Sequence, residues 1–204
     1  MTTSTPSPRK YYFLKTRSLP GAHKYDNFYL RLHGDGVEDI VLTPGRPIYL
    51  RAFDEPAPAA TIPSTEAGVG TSIKFISTKS GDRQWSLALG QPRDFVGWEP
   101  VRIVAAAEDE EAEAGARWVR KSDLAAGGLR EEFEALEWDA GSSEENGKGE
   151  WKGWMVCEWV HGHPQLFWVT GMSDSRGKEL KMPTFCERVE LVKEAVGESV
   201  DVSA

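Results

Sequence analysis

The sequence predicts an all-β domain. Three observations carry that expectation. Short runs rich in β-branched and aromatic residues recur along the chain, about ten to twelve of them. Gly, Pro, Asn and Asp punctuate them with turn chemistry. Apolar stripes of helical period are nearly absent. A β-trefoil-like arrangement is the first expectation, because the chain divides into three blocks, 11–77, 85–138 and 151–193. Each block holds an aromatic-rich strand pair and closes on a short strand. A two-sheet β-sandwich is the alternative, since it accounts for the same strands.

The elements follow in order. Tyr11–Arg17 alternates and reads as a strand, ended by Leu19-Pro20-Gly21. Phe28–Leu32 puts Phe28, Leu30 and Leu32 on one face and Tyr29 and Arg31 on the other. His33–Gly36 is a turn, and two strands, Ile40–Leu42 and Ile48–Phe53, flank Thr43–Pro47. Asp54–Gly70 has no periodicity and reads as a loop. Ile73–Ser77, Trp85–Leu89 and Pro100–Ala105 are three more strands. Val104–Ala116 is acidic, lacks an apolar stripe and reads as an insertion.

Trp118–Val119 opens a short run. Leu129, Phe133 and Leu136 stand at i, i+4 and i+7, so Leu129–Trp138 is expected to begin as a short helix and give way to a strand at Trp138. Ala140–Gly149 and Ser173–Pro183 read as loops, and Arg188–Val192 is the last strand. The domain is expected to run from 10 to 196, with loose tails at 1–9 and 197–204.

The most informative stretch is Gly153–Thr170, two aromatic-rich apolar runs around His161-Gly162-His163-Pro164. This is a hairpin signature. Trp154 and Val156 fall on one face, and Met155, Cys157 and Trp159 on the other. A strand apolar on both faces is buried on both, so the hairpin is expected at the centre of the domain.

Composition narrows the function classes. The 204 residues are 40% hydrophobic and 27% charged, a globular balance, with a net charge of −8. An acidic chain without a basic stripe is not expected to bind nucleic acid, whose affinity comes from Lys and Arg at phosphates. No apolar run approaches the roughly 18 residues of a membrane span. The first residues, MTTSTPSPRKYYF, lack the pattern of a secretory leader, so a cytoplasmic location is expected. The two cysteines, Cys157 and Cys186, then read first as free buried thiols, with a disulfide as the alternative for an exported protein.

No Gly-x-Ser-x-Gly elbow, phosphate-binding loop, dinucleotide fingerprint or His-Glu-x-x-His is present. A non-enzymatic chain without cofactor is the expectation. His161-x-His163 is an incomplete metal set and sits in turn chemistry. Asp35, Glu38 and Asp39 lack calcium-loop spacing. Glu158, if inward, would need Arg102 or Arg188 as a partner. A hydrolase using an unrecognised carboxylate pair ranks last.

The motif order FLKTR (Phe13–Arg17), NFYLRLHGDGVEDIVLT (Asn27–Thr43), WEPVRI (Trp98–Ile103), GWMVCEWVHGHPQLFW (Gly153–Trp168) and a Cys-x-x-Val-x-Leu end (Cys186–Leu191) resembles a domain family of filamentous ascomycetes that has no assigned activity. The resemblance covers most of 11–193. It implies relatives with a secretion leader, hence a secreted alternative, and a recurring cysteine pair. This chain departs from it in lacking a leader and in the acidic insertion Glu108–Glu113.

The function expected is a binding module for a glycan or cell-surface ligand, held by exposed tryptophan. The alternative is an intracellular protein–protein interaction domain. Trp98, Glu99 and Trp151 are the candidate ligand contacts, because they border glycine-rich loops where an indole stays accessible beside a carboxylate.

Overall fold

The computed structural model describes residues 9–34, 37–56, 71–77, 83–89, 98–105, 116–124, 130–138, 153–158, 162–169 and 181–196. The tails, the insertion at 108–113, the loop at 140–149, the acidic turn at 35–36, and Trp151, Trp159 and His161 lie outside them. Twelve strands and no helix occur among the described residues: β1 (Tyr12–Ser18), β2 (Tyr29–Gly34), β3 (Val37–Thr43), β4 (Leu50–Pro56), β5 (Thr71–Ser77), β6 (Gln84–Leu89), β7 (Trp98–Ala105), β8 (Ala116–Leu124), β9 (Arg130–Trp138), β10 (Gly153–Glu158), β11 (Pro164–Val169) and β12 (Cys186–Ala195).

The all-β expectation holds. All twelve strands belong to one antiparallel sheet that closes on itself. A circuit of eight, β5-β8-β9-β12-β10-β11-β7-β6, returns to β5 and makes a closed barrel. A second circuit joins β1, β4, β5, β8, β9 and β12, with β12 returning to β1. The two-sheet sandwich is therefore corrected: the hydrogen bonding is continuous, and closure removes the edges that two facing sheets would keep.

Two-faced burial of the central hairpin follows its alternation. Trp154, Val156, Leu166 and Trp168 enter the main core with Leu14, Leu30, Ile73, Phe75, Ile103 and Leu191. Met155, Cys157, Phe167 and Val169 form a second cluster on the opposite face with Cys186. β10 is held by β11 on one edge and β12 on the other, and over Trp154–Cys157 both of its faces are buried. Gly162, with φ +70°, supplies the left-handed turn residue between the two strands.

Two local expectations are corrected. β9 is a strand from Arg130 onward, where a short helix was expected; Leu129 lies outside the described residues. The basic strand β8 lies along it for nine positions, placing Arg117 opposite Glu137 and Arg120 opposite Glu134. Ladder pairing over nine positions overrides the sparse helical spacing. β4 also extends through Asp54 to Pro56, into the stretch read as loop, because β5 pairs with it to Thr71.

Burial near the hairpin is polar-satisfied in part by Trp154, whose indole N–H donates to the Leu136 carbonyl, while its ring packs 4.8 Å from that of Trp168. Trp154→Ala is expected to lower unfolding free energy by about 3–5 kcal/mol. Urea denaturation checks this, with Trp154→Phe retaining most of the packing and losing only the hydrogen bond.

Candidate functional site

Three polar constellations stand on the barrel, each assembled from strands distant in sequence. The first occupies one end. Residues of one parity on β1, β4, β8 and β12 continue the core rows: Tyr12 follows Leu14, Asp54 follows Ala52, and Lys193 follows Leu191. The Asp54 carboxylate accepts from the Tyr12 hydroxyl at 2.7 Å, from Trp118 Nε1 at 2.9 Å and from Lys193 Nζ at 2.7 Å. Lys193 Nζ lies 3.9 Å from the Trp118 ring centroid, a cation–π contact. Burial, then the Asp54 charge and hydrogen bond, push the Tyr12 phenol far above its ordinary range, so it remains a donor.

The second constellation centres on Glu194 of β12. It pairs with Lys15 Nζ at 2.9 Å and with Arg46, and accepts from the Tyr29 hydroxyl at 2.9 Å. Burial by itself raises this carboxyl. Hydrogen bonds from Lys15 and Tyr29, with the charges of Lys15 and Arg46, outweigh it and hold the group below the usual carboxylate range.

The third is a cleft of about 580 Å³ between β9 and the strands β1 and β12. Lys15, Arg17, Val192 and Lys193 line one side, and Arg120 and Glu131–Glu134 the other. It exists because β9 stays with β8 over its whole length but pairs with β12 only at Ala135 and Leu136. Beyond them the β8–β9 hairpin departs as an arm. Arg17 anchors that arm, pairing with Glu131 at 3.0 Å and lying 4.0 Å from the Phe133 ring centroid. Lys121 ties its root, pairing with Glu137 and Glu190 at 3.0 Å each.

Of the residues singled out from the sequence, Trp98 and Glu99 lie at the start of β7. Trp98 is half-buried and packs with Met182 against the second hydrophobic cluster. Glu99 is half-buried beside it, in register with Trp168. Trp151 lies outside the described residues. The indole that does meet a carboxylate is Trp118, at Asp54. No local signal finds that pair, since the residues stand 64 positions apart.

Cys157 and Cys186 are not free thiols. They are joined as a disulfide, with sulfurs 2.05 Å apart, at facing positions of β10 and β12. Glu158 turns outward at the end of β10 and pairs with Lys24 at 2.9 Å, rather than with Arg102 or Arg188. His163 is exposed, its ring 5.9 Å from that of His33. Among the described residues no group of three or more His, Cys, Asp or Glu is placed to hold a metal ion. No helix among them is long and apolar enough to cross a membrane.

A closed antiparallel barrel with a charged cleft defines the class: an all-β domain whose described polar surface is presented by its strands. The chain belongs to the family DUF7907, a domain of unknown function, whose match covers residues 9–195. Neither a curated protein nor a solved structure matches it.

Glu194 sets a pH dependence. A carboxyl held below its unfolded pKa adds stability that is full above the unfolded value and is lost as pH falls through the folded one. Thermal unfolding is expected to lose stability below about pH 5. Glu194→Gln is expected to be about 1 kcal/mol less stable at pH 7, with a flatter acid limb. The disulfide closes a 29-residue separation. Replacing both cysteines by Ala is expected to cost about 2–4 kcal/mol, measured by denaturant unfolding with and without reductant.

Proposed function

We propose that this domain is a non-enzymatic binding module and that its ligand surface is the cleft beneath the β8–β9 arm. A protein partner is the ligand class that best suits it. One observation carries this reading: β9 leaves β12 after two paired positions, opening a charged cleft whose walls are strand residues. The walls are rich in charge and poor in exposed aromatic rings, as suits a polar protein surface more than a sugar ring. Phe133, the cleft's aromatic residue, lies under Arg17.

A glycan ligand at Trp98 and Glu99 is the second reading. Its support is the adjacency of a half-exposed indole and a carboxylate on β7. A disulfide supports an exported protein over a cytoplasmic one, since such bonds persist in oxidising compartments. The motif order supports a family of filamentous ascomycetes. The three blocks read as trefoil-like. The circuit β1-β4-β5-β8-β9-β12 supports it, as does the mutual pairing of the hairpins β2–β3, β6–β7 and β10–β11 through β3, β7 and β11.

The test immobilises the chain and compares partner capture from a native extract by three forms. Glu132→Lys/Glu134→Lys is expected to lower the captured protein about ten-fold, a loss of about 1.4 kcal/mol, while Trp98→Ala retains it. Equal capture by the cleft variant overturns the reading. Glycan-array binding that disappears with Trp98→Ala establishes the second one instead.

A further inference from the structure

The cleft shows more than charge. Glu131, Glu132, Phe133 and Glu134 line it consecutively, as do Val192 and Lys193. Successive residues of a strand point to opposite faces. A cavity that meets both parities therefore faces the edge of the strand, where its backbone N–H and C=O groups are. On its other edge β9 is fully paired with β8. On the cleft side, among the described residues, Arg130–Glu134 has no strand partner. Five residues of edge run about 17 Å, enough for a short strand.

Resting on the reading of the cleft as a protein-docking surface, we infer that the partner enters as an extended segment that adds a strand to the β9 edge. Strand addition draws affinity from main-chain hydrogen bonds and specificity from alternate side chains. Each face of β9 sets one half of that specificity. Glu132 and Glu134 are exposed and make no salt bridge among the described residues. Lys or Arg at alternate positions of the incoming strand would face them as cross-strand pairs. The opposite face carries Phe133 beside Val192, with Glu131 already neutralised by Arg17. There the incoming residues are apolar and β-branched.

The segment is thus basic and apolar in alternation. A second copy of this chain is the wrong occupant. Antiparallel pairing of two Arg130–Glu134 edges sets at least one carboxylate opposite another in every register of three or more residues, Glu132 against Glu132 at full overlap, where Arg130 meets Glu134; facing carboxylates destabilise a strand pair.

The probe is a capped heptapeptide alternating lysine and valine, titrated into the full chain by fluorescence anisotropy. The same peptide N-methylated at alternate residues and a glutamate–valine counterpart are the controls. Binding is expected to be about ten-fold weaker to Glu132→Lys/Glu134→Lys and absent for the N-methylated peptide. Amide hydrogen exchange of Arg130–Glu134 is expected to slow on binding. Equal binding of the N-methylated peptide, with unchanged exchange but continued sensitivity to the Glu variants, overturns strand addition and leaves the cleft as a docking surface. Binding of neither the lysine peptide nor its glutamate counterpart overturns both readings.

Discussion

β12 hydrogen-bonds to three strands, and the closed sheet depends on it. Its first residues pair with β10, Leu191 and Val192 with β9, and Val189–Ala195 with β1 along seven positions. Without the β1 ladder the smaller circuit opens between the first and last strands. Without the β10 ladder the Trp-rich hairpin loses one neighbour and exposes apolar residues on a face that has no polar alternative. The disulfide lies in this second ladder, so covalent and hydrogen-bonded closure coincide at Cys157 and Cys186. The same strand supplies Lys193 to Asp54 and Glu194 to Lys15. Adjacent residues of one strand thereby serve opposite faces of the barrel wall.

The polar constellations follow from that geometry. A barrel interior must end somewhere, and the rows of core side chains that begin with Leu14, Ala52 and Leu191 end in Tyr12, Asp54 and Lys193. Burying a lone carboxylate there would be costly. Two neutral donors, Tyr12 and Trp118, and the Lys193 ammonium make the position tolerable while leaving the Asp54 side chain 38% exposed. The constellation closes the barrel end by charge, where a further apolar layer would have faced water. Outside the wall, Arg17–Glu131 ties the β8–β9 arm to β1 and Lys121–Glu190 ties it to β12. Such pairs are individually weak, so this arm is attached through small terms, in contrast to the packed hairpin.

Much of the fold was legible in the sequence where local pattern and tertiary environment agree. The faces of β10 follow from Trp154 and Val156 alternating with Met155 and Cys157, because burial on both sides leaves no polar residue to confuse the register. Phe28, Leu30 and Leu32 share a core-facing row for the same reason. Leu129–Trp138 was misleading. Its apolar residues fit a helix, while the determinant of its conformation is a basic strand running from Ala116 to Leu124. Closure was also invisible, since Tyr12 and Ala195 are partners across almost the whole chain. The site suffered from the same blindness. Trp98 and Glu99 are neighbours in sequence, whereas Asp54, Trp118 and Lys193 meet only through the sheet. A spacing of two cysteines, likewise, carries no information on whether their strands are adjacent.

The pairing of Tyr12 with Ala195, extended by the Val196 amide donating to the Tyr11 carbonyl, places the two ends of the family domain side by side. A domain whose ends leave together behaves as a plug-in unit. It can be spliced into a surface loop of another protein, or joined head to tail and reopened elsewhere, without stretching its host or itself. The strand ladder that seals the barrel is therefore also what makes this domain portable.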